Sequence, residues 1–226
     1  MDPMDVLELE PERQTIFRYE ATLGQHEARW WEYAMAHRAI ATWYESVGEY
    51  LEGRSPQVIA GTGGPLLLAD VGGAGSRFAQ SLVALTSEDI LTIDPEPRAA
   101  DLSRVVPYVG TVEQFAAQMS HNQFDCLTAI SVIEHLENVI PFLRACHMLL
   151  KPGGLLFLTT DCWNKEGEDV AHFHWMRKRI YTPESLGRLM KRCRELGFGA
   201  GSRCDWTYHG DTVYDYSFAS LAMVKR

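Results

Sequence analysis

The sequence contains no apolar run long enough to span a bilayer, no cysteine pair at metal-ribbon spacing and no excess of positive charge. Each absence removes a class of protein. Without an apolar span, a membrane is not an expected partner. The first residues are acidic (Asp2, Asp5, Glu8, Glu10), where a secretory leader needs a basic and then an apolar stretch. The five cysteines, Cys126, Cys146, Cys162, Cys193 and Cys204, are odd in number and form no C-x-x-C, which excludes a zinc ribbon and argues for reduced thiols in a cytoplasmic protein rather than a disulfide scaffold. Lys and Arg number 21 against 30 Asp and Glu, a formal charge of −9, so a broad phosphate-binding face for nucleic acid is not expected. The local basic stripe Arg177-Lys178-Arg179, with Lys191, Arg192 and Arg194, reads as solvated charge. Internal repeats and low-complexity segments are absent too. So are the usual nucleotide signatures: a G-x-G-x-x-G reading from Gly73 meets Phe78 at its third glycine, one from Gly72 meets Ala74 and Arg77, and there is no G-K-[ST].

What is present is an apolar chain with its own punctuation. At 226 residues and 46% hydrophobic, it is long enough to bury one good core. Residues 1–24 read as a loose acidic arm. From His26 to Tyr50 the residues Trp30, Tyr33, Ala34, His37, Ile40, Ala41 and Tyr44 recur at three- and four-residue steps, which predicts a helix with one apolar-aromatic face. Gly53, Ser55, Pro56 and the run Gly61 to Pro65 then break the pattern. The expected organisation is an N-terminal arm and helical cap over 1–55 and a main domain over 56–226.

Within the main domain, strand and helix patterns alternate: strands at 66–71, 89–94, 105–109, 124–131 and 155–160, helices at 76–85, 112–119 and 139–150, with Lys151-Pro152-Gly153-Gly154 as a sharp turn. Apolar strands separated by helices imply a parallel sheet covered on both faces. Asp161 to Ile180 is polar and aromatic without clear periodicity. Thr182-Pro183-Glu184-Ser185 opens a further helix, ended by Gly197. Two β-prone runs, 198–208 and 213–225, close the chain as an antiparallel hairpin, with His209-Gly210-Asp211 as its turn.

The run Leu66-Leu67-Leu68-Ala69-Asp70-Val71-Gly72-Gly73-Ala74-Gly75-Ser76 carries the most information: an apolar strand, an acid, a loop of small residues, then a helix. Small residues let a ligand approach the backbone, and the helix start points its amides into the crevice. Three further stretches follow in order: Leu91-Thr92-Ile93-Asp94; Phe124-Asp125-Cys126-Leu127 continuing to Ser131-Val132-Ile133-Glu134-His135-Leu136; and Leu149-Leu150-Lys151-Pro152-Gly153-Gly154-Leu155. Together they resemble the class I S-adenosylmethionine-dependent methyltransferases over roughly Leu66 to Arg226. The sequence departs from that pattern where Ala74, Ser76 and Thr111 stand. The resemblance implies a doubly wound α/β fold, a Rossmann-like seven-stranded sheet, mostly parallel, with the last strand antiparallel. It implies S-adenosylmethionine as cofactor, held by Asp70, Gly72, Gly73 and Gly75, by Asp94 on the ribose hydroxyls, by Thr111 and Val112 near the adenine, and by Ser131.

Methyl transfer is an in-line displacement, so the protein chiefly aligns a nucleophile and removes a proton where one must leave. His135, after the fourth strand, is the first candidate base. His174 and His209 belong to an aromatic, polar segment (Ala171 to Met176, with Tyr181, Trp206 and Tyr208) read as a lid over a polar acceptor. A divalent metal ion is a second candidate cofactor, with Asp161 and His172 as ligands and Glu134 as the acid from the fourth-strand end. The expected activity is transfer of a methyl group to a hydroxyl of a small polar acceptor, a sugar or a secondary metabolite, by a cytoplasmic enzyme that can form a homodimer. The alternatives are an acceptor nitrogen, an RNA or protein acceptor, and a non-catalytic S-adenosylmethionine-binding partner subunit.

Overall fold

Five strands pair in parallel: Leu68–Val71 (β1), Ile90–Asp94 (β2), Val105–Val109 (β3), Phe124–Ala129 (β4) and Leu150–Cys162 (β5). The structure, a computed structural model, describes residues 27–50, 65–73, 78–96, 102–163, 170–173, 176–200 and 217–226, and the side chains of 27–30, 45–50 and 170–178 lie outside that description. Two further strands, Phe198–Ala200 (β8) and Ser217–Lys225 (β9), complete a seven-stranded sheet of order β3-β2-β1-β4-β5-β9-β8. β9 runs antiparallel to β5, with Thr159 opposite Ser220, as expected. β8 pairs antiparallel with β9, so the terminal hairpin is present, although its connection, including His209, falls outside the described residues. Because the chain starts in the middle at β1, winds out to β3 and returns at β4, the strand order reverses between β1 and β4. A crevice opens at that point, beyond the carboxyl ends.

Each sheet face has its own core. On one face lie Glu27–Tyr50 (α1) and Phe78–Leu82 (α2), whose Tyr33, Ala36, Ile40, Trp43, Phe78 and Leu82 pack with Leu68, Ile90, Cys126, Leu155 and Phe157. On the other lie Val112–Gln118 (α3), Val139–Leu149 (α4) and Pro183–Glu195 (α5), over Ala69, Val71, Ile93, Leu127, Leu156 and Leu158. The alternation of partners along β5 follows from the two-residue period of a strand. Thr182 caps α5 in a reciprocal pair with Ser185, and Pro183 occupies its first turn.

Three local readings change. α1 buries more than one stripe: Trp31, Glu32, Ala36, Ala39 and Trp43 are inside, whereas Ala41 is exposed. The turn at 151–154 lies within β5 as an irregularity, the register passing from Phe124–Leu150 to Cys126–Leu155 around Gly153 at φ 80°. The segment after β5, read as aperiodic, contains a separate antiparallel hairpin, Val170–Phe173 (β6) and Met176–Arg179 (β7). Strands that short, on a sheet of only two, leave little alternation to detect.

The thiols of Cys126, Cys146, Cys162 and Cys193 are free and buried. Burial raises all four pKa values, helped at Cys126 by Asp125 and Asp70, and it brings Cys162 to about 11 and Cys193 to about 12. Because the thiolate is the reactive species, these four should resist iodoacetamide in the native protein at pH 8 and react only after unfolding, as peptide mass spectrometry would show.

Candidate functional site

Asp70 is the penultimate residue of β1, with its side chain on the α1 face, in register with Thr92 of β2 and Thr128 of β4. It is 1% exposed, and its Oδ1 accepts from the Thr128 hydroxyl at 2.7 Å. Its Oδ2 occupies the place where a Cβ on residue 73 would stand, so a side chain there would displace the Asp70 carboxylate. Gly72 turns the chain at φ 80°, a region that favours glycine, and its amide donates to the Ile93 carbonyl at 2.8 Å. Asp94 stands half-buried at the end of β2, its Oδ1 accepting the Glu96 amide at 2.8 Å. A carboxylate offers about four acceptor positions, so that turn leaves capacity for ribose hydroxyls.

Beyond β4 the chain makes a short left-handed turn at Ser131, φ 52°, then a 3-10 turn over Ile133–His135. The Ser131 amide donates to Thr159 Oγ1 at 3.0 Å. The hydroxyls of Ser131 and Thr159 both donate to Glu32 Oε1, at 2.6 and 2.5 Å. Glu32 comes from α1 and is fully buried. Sequence reasoning missed it; the available signal was an acid set between the aromatic residues Trp31 and Tyr33.

The remaining candidates divide. His135 is exposed on the 3-10 turn at the carboxyl edge, and β7 packs beside that turn. Thr111 caps α3: its hydroxyl accepts the Gln114 amide at 3.3 Å, and its own amide donates to Gln114 Oε1 at 2.8 Å. Val112 lies in the core with Val71 and Ile93. Gly75, His174 and His209 lie outside the described residues. His172 is placed only as backbone, opposite Arg177, and its expected alignment with His174 lies outside the described residues. Asp161 is fully buried in β5. Glu134 accepts from Thr160 Oγ1 at 3.1 Å, and Thr160 and Asp161, adjacent on a strand, point to opposite faces. The expected Glu134–Asp161 pair therefore does not form, and among the described residues no three His, Cys, Asp or Glu are grouped to hold a metal ion.

The family of methyltransferase domains matches residues 60–198. The chain belongs to that family. The matched segment holds the five parallel strands and the switch point, while α1 precedes it and β9 follows it. Over 100 residues the chain is 35% identical to a ubiquinone biosynthesis O-methyltransferase of Xanthomonas oryzae pv. oryzae, a match covering 40% of this chain and 41% of that protein. The chain thus spans about two-fifths of the length of the curated relatives it matches. A solved S-adenosylmethionine-dependent methyltransferase from Mesorhizobium loti shares the fold at TM-score 0.54 and 13% identity, over 71% of this chain and 91% of that one. The 1,6-didemethyltoxoflavin-N1-methyltransferase of Burkholderia thailandensis shares it at TM-score 0.51 and 16% identity, over 96% and 91%.

The described residues fit the cofactor this methyltransferase family implies. Gly72 and Gly73 present backbone without side chains, Asp70 sits beneath that backbone, and Asp94 stands at the next strand end with an acceptor-only group.

Proposed function

We propose that the protein transfers a methyl group from S-adenosylmethionine to a hydroxyl of a small polar acceptor, a sugar or a secondary metabolite. The observation that carries this reading is the glycine-lined crevice at the switch point, with Asp70 and Asp94 at adjacent strand ends, in a chain of the methyltransferase-domain family. The choice of oxygen is supported by the relatives that carry the name O-methyltransferase.

When bound, the cofactor supplies an electrophilic methyl carbon on a sulfonium. The rest falls to the chain. Asp94 would hold the ribose hydroxyls, and Asp70 supports the turn of Gly72 and Gly73, whose lack of side chains leaves the backbone open to the methionine end. Gly75, Thr111, Val112 and Ser131 complete the cofactor set, Thr111 and Ser131 through backbone, since both hydroxyls are engaged elsewhere. His135, exposed at the carboxyl edge, accepts the acceptor's proton at an imidazole nitrogen. His174 and His209 are the lid's candidate bases. A metal at Asp161 and His172 remains a separate proposal, tested by chelation.

Labelled methyl groups should pass from S-adenosylmethionine into the small-molecule fraction of a host-cell extract, whether or not chelator is present. Label lost with chelator would establish the metal. Label in protein or RNA would overturn the acceptor class, and a methylated nitrogen in the product would overturn the choice of oxygen. If His135 is the base, His135→Phe should lower kcat by about 100-fold or more with KM for S-adenosylmethionine unchanged. Near-normal turnover would remove His135 from the mechanism.

A further inference from the structure

We propose that Glu32 is a positioning residue: from the cap helix, outside the matched methyltransferase core, its carboxylate clamps the left-handed turn after β4 and so sets the wall of the cofactor crevice. The proposal rests on the reading of that crevice as the S-adenosylmethionine site.

A carboxylate with no exposure is costly unless strong hydrogen bonds replace its water. Here the bonds define a direction. Both hydroxyl protons, from Ser131 and from Thr159, go to Glu32 Oε1. With its proton given away, the Thr159 oxygen is left as the acceptor for the Ser131 amide. Ser131 is therefore gripped at both its backbone and its side chain. It needs that grip, because φ 52° is a strained conformation for a residue with a Cβ.

The consequence reaches the crevice through the next residue. Val132 packs against Gly72, its Cγ2 standing where a side chain on residue 72 would be. The turn after β4 thus buttresses the turn after β1. Past Val132 the chain enters the 3-10 turn that presents His135. Glu32 is itself held firmly, because α1 is pinned along its length: His37 Nε2 lies 2.8 Å from Ser81 Oγ, and Trp43 Nε1 donates to the Gly153 carbonyl at 2.9 Å. Helix docking is thereby secured without Glu32, which leaves the carboxylate to order the turn.

The test uses the full chain, with S-adenosylhomocysteine affinity read by calorimetry, amide hydrogen exchange read over residues 131–135, and melting followed in parallel. Ser131→Ala removes the hydroxyl anchor but keeps the backbone strain, whereas Ser131→Gly removes both. The clamp predicts that Ser131→Ala loses affinity on the order of 10-fold and exchanges faster at 131–135, while Ser131→Gly, relieved of the strain, recovers part of that loss. Glu32→Ala should lose at least as much as Ser131→Ala, and Glu32→Gln, which keeps an acceptor oxygen, should recover most of it. On the Ser131→Gly background, Glu32→Ala should cost only a few-fold more. Equal behaviour of Ser131→Ala and Ser131→Gly, additive losses in the double variant, or faster exchange spread over the whole sheet would each overturn the proposal. Absence of binding by the wild type would sink the cofactor reading instead, and the exchange comparison would still decide the clamp.

Discussion

Asp94→Ala should abolish measurable S-adenosylhomocysteine binding while leaving the melting temperature of the ligand-free protein within a few degrees of wild type. The carboxylate stands at the carboxyl end of β2, half-buried, one strand from Asp70 and Gly72. Hydrogen bonds to a charged acceptor are worth roughly 1.5–3 kcal/mol each, so losing two ribose contacts corresponds to a fall of about 100-fold or more in affinity. The folded protein loses little, because the contact of this side chain with the exposed Glu96 amide only closes a local turn. Asp94→Asn, which keeps that turn but not the charge, should fall between the two. Calorimetry of the three proteins decides the matter: unchanged affinity in Asp94→Ala would remove the residue from the cofactor site.

The opposite pattern is expected of Asp125. It too stands in a stretch that resembles the methyltransferase family, yet it is the second residue of β4, at the far edge from the crevice. Its side chain is 1% exposed and forms an ion pair at 2.8 Å with Lys151, itself 13% exposed. The same oxygen, Oδ2, accepts the Leu67 amide at 2.8 Å. Asp125 thereby joins the strand leading into β1 to the irregular start of β5. Breaking a buried pair by removing one partner typically costs 3–5 kcal/mol, because the remaining charge is left without compensation. Asp125→Ala should therefore lower the melting temperature by roughly 10 °C. Affinity for S-adenosylhomocysteine, measured well below that transition, should stay near the wild-type value. A melting curve that does not move would show the pair to be dispensable.

These two acids show how far reading by pattern reaches. Both stand in family-like stretches, and they occupy opposite edges of the sheet. That follows from position within the strand: Asp94 is the last residue of β2, and Asp125 the second of β4. The five parallel strands and their helices were legible because a strand buried on both faces must be almost wholly apolar, and the glycines, prolines and capping residues between them mark each end. The hairpin of β6 and β7 was not, because strands of four residues without a continuous apolar face carry too little periodicity.

The candidate site divides in the same way. Asp70, Gly72, Gly73 and Asp94 were readable, since the requirement for a small residue or a carboxylate is local to one strand-loop junction. Thr111 and Ser131 were readable as positions but not as hydrogen-bonding partners: the structure joins one to Gln114 in a helix cap and the other to Glu32. The sequence by itself determined the class of fold and the crevice where a nucleotide cofactor belongs, because periodicity and backbone sterics act over a few residues at a time, and the resemblance implied the direction of the last strand. Only the tertiary structure decided that Glu32 meets Ser131 and Thr159, and that Glu134 and Asp161 turn away from each other. Contacts between residues so far apart in the chain depend on how a helix lies across the sheet and on which face each side chain leaves its strand, and neither is written in any short stretch of sequence.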